Sequence, residues 1–488
     1  CRQFMGQYPT IFLSLKSAEG STFEDAYKAF ARMLVNVAKE LVFLEESPRL
    51  LPDDKKLLRR YRDLDYMRDT AHKDDVQAFL RDVMTFLSQH FQRKVVLLID
   101  EYDVPLAKAA VGGYYDEMLP LIRGFLGEAL KANPNTGYDA TAYLRKAVMT
   151  GCLRVSKESI FTGLNNLETD SVLHTRFGDS FGFTQEEVEE LLAYYGLSEQ
   201  LEEVKKWYDG YLFNDFEIYN PWSILKYVND RKDHVTEFAL PYWSNTSSNS
   251  IVREMVGEAD EMAKADLETL MTGGTIEKPV HEDITYGDIH QTQDNLWNFL
   301  FFTGYLKKAG EQKEGNNLKL EMKIPNIEIA TIYENSISYW FEQRIKETDR
   351  SPLVRALETG DCEAAEDFIN RQLADTISYY DYAENFYHGF MAGLLVNIGG
   401  YSVKSNRESG NGRPDIVMQT VQVRKGRVIL LEFKIAGSVA EMDAACDRGL
   451  AQIEEQHYAE PFIAEGYPEV KKYALSFCKK ECMVKKAE

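Results

Sequence analysis

The sequence predicts an α/β protein of several domains, and three observations carry that prediction. Its 488 residues exceed what one hydrophobic core holds, about 250–300 residues, so two or three domains are expected. Apolar stretches of strand length alternate with segments of helical spacing through the first third of the chain. From about residue 350 a second such pattern begins, with helices first and strands after them.

Taken in order, YPTIFLSL (8–15) reads as a buried strand. Phe23, Tyr27, Phe30, Leu34, Val37 and Leu41 then fall on one face of a helix within 22–48. The charged stretch 52–75 reads as surface helix and loop, and 76–91 as a further helix. VVLLID (95–100) is the near-continuous apolar strand of a parallel sheet covered on both faces. A helix over 114–131 and a strand AVMTGCL (147–153) follow. In TQEEVEELLAYYG (184–196), Thr184 and Glu187 form a capping box and Gly196 ends the helix. The region up to about 345 is rich in helices, aromatics and turns. Beyond it, helices near 352–375 and 383–398 precede strands around 414–424 and 427–435. A helix over 438–459 and a strand near 473–478 complete a compact α/β unit. Tyr382, Phe386 and Phe390 recur every fourth residue, which is core spacing and not a base-stacking face. His388 and His457 read as ordinary helix residues, and the lysine-rich tail 471–486 either as a strand contacting phosphates or, at least as well, as a solvated edge with protective lysines.

The formal net charge of −22 argues against a generic polyanion-binding surface, although a local basic groove is compatible with it. The acidity fits a soluble cytoplasmic protein. Six scattered cysteines with no CxxC pair exclude metal-site spacing and a disulfide framework. No apolar run reaches the roughly 18–20 residues of a membrane span, and no signal peptide is present. The chain opens CRQFMGQYPTIFLSL, without an initiating methionine and almost directly on a strand, so a preceding N-terminal portion is expected.

Two groups of residues carry chemistry. In VVLLIDEYDVPL (95–106), Asp100 and Glu101 stand at the end of an apolar strand. A hard-cation ligand beside a base at the carboxyl edge of a sheet is what nucleotide hydrolysis requires, although two acids also simply mark a strand end. Together with TGCLRVSKESIFTGLNNL (150–167), FGFTQEEV (181–188), WYDGY (207–211), YNPWSIL (219–225), FFTGYL (301–306) and IPNIEI (324–329), this stretch resembles the AAA-ATPase-like family common in bacteria. The resemblance covers most of residues 8–340. It implies a P-loop NTPase-like parallel α/β domain in which Asp100 serves magnesium, Glu101 serves hydrolysis as a Walker B pair, and Arg154 senses phosphate. The family's GxxxxGK[ST] phosphate loop has no counterpart here. GEQKEGN (310–316) lacks the lysine and serine and sits in a polar hairpin-like turn. ATP binding is therefore expected of a full-length parent and not of these residues alone.

The second group is Asp415 in GNGRPDIVM with Glu432 and Lys434 in VILLEFKI, spaced D–x16–E–x–K across a turn at VRKGR (423–427). Alternation along a strand puts Glu432 and Lys434 on one face and turns Leu431 and Phe433 away. Two carboxylates and a backbone carbonyl such as that of Phe433 can hold Mg2+ or Mn2+, with lysine orienting water. The alternative is a buried salt-bridge cluster, costly and of uncertain benefit. PD (414–415) with EFK (432–434) resembles the PD-(D/E)XK nuclease superfamily. That resemblance implies a restriction-endonuclease-like domain, a further acid at Glu384 on the preceding helix, and a supporting Gln452 and Tyr458 in QIEEQHY (452–458).

The expected division is thus an ATPase-like core over 1–183, a mainly helical region over 184–348 and a nuclease-like domain over 349–488. The expected function is NTPase-coupled, metal-dependent hydrolysis of nucleic acid, DNA foremost, by a cytoplasmic protein able to form oligomers. The rival is a nucleotide-gated signalling protein whose nuclease-like domain only binds nucleic acid or a partner.

Overall fold

The computed structural model describes residues 2–132, 139–153, 167–214, 216–245, 250–282, 284–289, 291–314, 317–375, 384–396, 398–405 and 412–487. Its contacts divide the chain into two units. One comprises residues 1–194, 209–221 and 277–325, the other 195–208, 222–276 and 326–488.

In the first unit β1 (Thr10–Ser14), β2 (Val95–Asp100) and β3 (Leu144–Met149) form a parallel sheet in that order. Ser14 pairs with Asp100, and Ile99 with Met149. Ile11, Leu13, Val95, Leu97 and Ile99 are buried. Val96 and Leu98 are only half-buried, so β2 alternates where its composition predicts burial on both faces. Helix Phe23–Glu40 starts where the Thr22 hydroxyl accepts the Asp25 amide, and its Phe30 packs edge-on against Phe125 of helix Tyr115–Leu130. The capping box forms: Thr184 and Glu187 exchange backbone-to-side-chain hydrogen bonds at 3.0 and 3.3 Å, and Gly196 follows with φ +72°. The middle of the chain also holds strands: the hairpin β4 (Tyr211–Phe213) and β5 (Phe216–Ile218), and a sheet of β6 (Ile276–Pro279), β7 (Lys307–Glu314) and β8 (Asn317–Lys323). GEQKEGN falls on the β7–β8 hairpin, with residues 315–316 outside the described ones.

The second unit contains a five-stranded sheet in the order β13-β12-β11-β10-β9. Its strands are β9 (Tyr401–Ser405), β10 (Ile416–Thr420), β11 (Arg427–Ile435), β12 (Glu469–Cys478) and β13 (Glu481–Lys486). Only β11 and β12 run parallel. Ile416, Leu431, Phe433 and Leu475 bury one face against helices Ser351–Thr359, Cys362–Asp375 and Glu384–Leu395. Val417, Val428 and Leu430 bury the other against Ile453 of helix Met442–Glu455 and Phe462 of helix Glu460–Glu465. The one helix expected over 438–459 is broken at His457, whose φ of +58° no helix tolerates, so His457 is not a helix residue. Tyr387, Phe390, Met391 and Leu394 form the apolar stripe of the Glu384–Leu395 helix, which bears out core packing at Phe390. Tyr382 and the Phe386 side chain lie outside the described residues.

Elsewhere in this unit Glu328 is fully buried. Its carboxylate accepts the Trp243 amide and the Ser223 hydroxyl, each at 2.8 Å, so IPNIEI and YNPWSIL meet at one acid.

Candidate active site

Strand β11 reads RVILLEFKI, and its alternation decides the site. Leu431 and Phe433 enter the core, while Glu432 and Lys434 share the face covered by helix Met442–Glu455. Gly449 of that helix permits the close approach: a methyl group there would stand 2.8 Å from the Ala474 side chain and 3.5 Å from the Lys434 stem. Glu432 is only 2% exposed. Its Oε1 accepts from Lys434 Nζ at 2.9 Å, whereas Oε2 has no hydrogen-bond partner. Burial and then the Asp415 charge push the carboxyl up to about 7, against the pull of Lys434.

Asp415 lies one residue before β10. Because Ile416 pairs with Leu431 in the antiparallel ladder, Asp415 comes alongside Glu432. Its Oδ2 accepts the Phe433 amide at 2.6 Å. Two carboxylates and an ammonium thus converge at the end of one sheet, as their spacing predicts. Among the described residues no group of three or more His, Cys, Asp and Glu side chains is placed to hold a metal ion. The backbone of Glu384 opens its helix, and its side chain lies outside the described residues. Gln452 Nε2 donates to the Tyr458 hydroxyl at 3.3 Å, and Tyr458 is buried. A methyl group on Gly412 would stand 3.0 Å from that hydroxyl, so the pair abuts the segment leading to Asp415.

In the first unit Asp100 ends β2, and its Oδ1 accepts the Thr150 hydroxyl at 2.6 Å from the end of β3. Glu101 takes φ +54°, a left-handed turn uncommon outside glycine. Arg154 lies outside the described residues. The sequence reading missed Asp103. This residue is 1% exposed, and its Oδ2 accepts the Cys152 amide at 2.9 Å, the Leu153 amide at 2.8 Å and the Tyr286 hydroxyl at 2.9 Å. Burial holds its carboxyl above the usual range. Asp103 precedes helix Val104–Gly112 but makes no side-chain cap, and turns to the loop after β3 instead.

Comparison with known proteins supports both halves. Residues 2–161 match the family described as Predicted AAA-ATPase, and residues 382–487 match the PD-(D/E)XK nuclease superfamily. A protein of Azotobacter chroococcum mcd 1, named "Uncharacterized protein in vnfD 5'region", is 25% identical over 386 residues, which span 77% of this chain and 68% of that protein. No solved structure matches. The chain carries an AAA-ATPase-like domain over its first third and a PD-(D/E)XK nuclease superfamily domain at its C-terminal end.

Proposed function

We propose that the chain is a metal-dependent nuclease cutting phosphodiester bonds of nucleic acid, DNA foremost, with nucleotide turnover in the ATPase-like part of a full-length parent controlling access. The observation that carries this is the Glu432 carboxylate. It is buried, beside a second carboxylate, with one oxygen unpartnered although an orphaned buried oxygen costs about 1–3 kcal/mol. An open oxygen alone does not mark a ligand, since Asp103 Oδ1 is also unpartnered, but an open oxygen beside a second carboxylate and an ammonium is a donor set that fits a hard divalent cation such as Mg2+ or Mn2+. Asp415, Glu432 and the Phe433 carbonyl would hold it, with Glu384 as a further acid. When bound, the ion supplies charge stabilisation at the phosphate and acidifies water.

The protein's own contributions follow. The Phe433 amide fixes the direction of the Asp415 carboxylate. Lys434, 23% exposed at its side chain, holds its ammonium where it can orient water or neutralise developing charge. The Gln452–Tyr458 pair supports the segment before Asp415. In the first unit Asp100 would serve magnesium, Glu101 hydrolysis as the Walker B acid and Arg154 the phosphate of ATP. The working division is a P-loop NTPase-like part (1–183), a helical and hairpin region (184–348) and a restriction-endonuclease-like part (349–488). We place the protein in the bacterial cytoplasm; among the described residues no helix is long and apolar enough to cross a membrane. Oligomeric assembly is compatible with this reading.

The test is incubation with plasmid, single-stranded DNA and RNA in Mg2+ or Mn2+, with EDTA controls. Cleavage of at least one substrate, abolished by EDTA and by Lys434→Ala, is expected. Binding without cleavage would establish a nucleic-acid-binding protein instead.

A further inference from the structure

His388 is the residue that neither its sequence context nor the reading above employs. It lies on helix Glu384–Leu395, beside the apolar stripe that packs under the sheet. Its ring stands edge-on to Phe433, with centroids 6.0 Å apart and planes at 68°. Its Nε2 is 3.2 Å from the Asp415 carbonyl oxygen and 3.0 Å from Ser405 Oγ on β9. A carbonyl oxygen only accepts, so the bond to Asp415 requires that Nε2 carry the proton. A protonated, donating nitrogen has no lone pair for a cation.

Asp415 is tied on more than one side, and its backbone amide donates to the Glu432 carboxylate. The ladder with β11 begins only at Ile416, and Pro414 before it has no N–H to give. The Asp415 carboxylate is held from β11 by the Phe433 amide, and its carbonyl is held from the helix by His388. The His388 and Phe433 rings pack on each other, closing a circuit of three residues around the acid. A metal-binding carboxylate works only when held to within about 0.5 Å.

We propose that His388 is a positioning residue for the nuclease site: its Nε2–H locks the Asp415 backbone from behind the sheet, and it ligates no metal. This rests on the reading of Asp415 and Glu432 as metal ligands. His388→Phe keeps a ring against Phe433 and removes the donor, whereas His388→Gln keeps a donor at similar reach and is a poor ligand. In metal-free protein, hydrogen exchange at the Phe433 amide reports directly on Asp415. It should quicken at least about 10-fold in H388F and stay near wild type in H388Q. Mn2+ affinity by calorimetry and kcat for DNA cleavage should each fall roughly 10–100-fold in H388F, with KM for DNA unchanged, and recover in H388Q. The proposal is overturned if H388F leaves Phe433 exchange and Mn2+ affinity unchanged, or if H388Q loses Mn2+ as completely as H388F. Asp415→Ala and Glu432→Gln separate the two readings. If neither alters Mn2+ binding, the metal site itself is misassigned and this role falls with it. If both do while H388F is silent, only the role of His388 fails.

Discussion

Glu328 and Glu432 are the same residue type, both buried, both with carboxyls pushed up to about 7 chiefly by burial. Glu328 has a donor on each oxygen and no carboxylate among the causes of its shift. Glu432 has a donor on one oxygen only and Asp415 alongside. The difference teaches that a perturbed carboxyl is no mark of function by itself. Glu328 is perturbed and satisfied, tying three segments of chain together, while Glu432 is perturbed and left open beside a like charge.

The comparison can be broken by exchanging the consequences. Glu432→Gln should lower cleavage by roughly 10²–10⁴-fold, the range of a lost catalytic group, while the protein stays folded. Glu328→Ala should do the reverse. Cleavage per folded molecule should be unchanged, but chemical denaturation should show a loss of roughly 2–4 kcal/mol, because the Trp243 amide and Ser223 hydroxyl are left unpaired in the interior. Equal effects of both substitutions on activity would erase the distinction.

Titration sharpens it. An acid whose folded pKa of about 7 exceeds its unfolded value of about 4.5 keeps its proton longer in the folded state. The folded protein then binds more protons across that interval, so stability falls as pH rises from about 4.5 through about 7 and levels off above. Glu328→Gln should flatten that slope in urea titrations, by up to a few kcal/mol between the ends. An unchanged slope would show that Glu328 titrates normally. The smallest effect belongs to Thr184→Ala, which removes one side of the capping box and should cost about 1 kcal/mol in the same assay.

The alternation of ILLEFKI made the two faces of β11 readable, and the spacing to RPDIVM brought Asp415 beside Glu432, although Asp415 precedes β10 by one residue where the spacing predicts it on the strand. Legibility ended where a partner is distant or masked by context. β9, YSVKS, is short and half-polar, and gave no strand signal. His388 sits among apolar helix residues, and its bond to a carbonyl 27 positions away leaves no trace in composition. Asp103 takes its hydrogen-bond donors 49, 50 and 183 residues off, so nothing in its local sequence marks it. Glu328 resembles any surface acid on an amphipathic helix until Trp243 and Ser223 are brought to it. Local periodicity is written in sequence, whereas the pairing of a buried acid depends on which segments fold beside it.

The central claim is that the open oxygen of Glu432, beside Asp415 and Lys434, serves metal-dependent phosphodiester hydrolysis. The most direct measurement is cleavage of supercoiled plasmid over a Mg2+ titration by the wild-type protein and by Glu432→Gln. The account predicts saturable, Mg2+-dependent cutting that the substitution abolishes. Equal cutting by both proteins, or cutting indifferent to Mg2+, would contradict it.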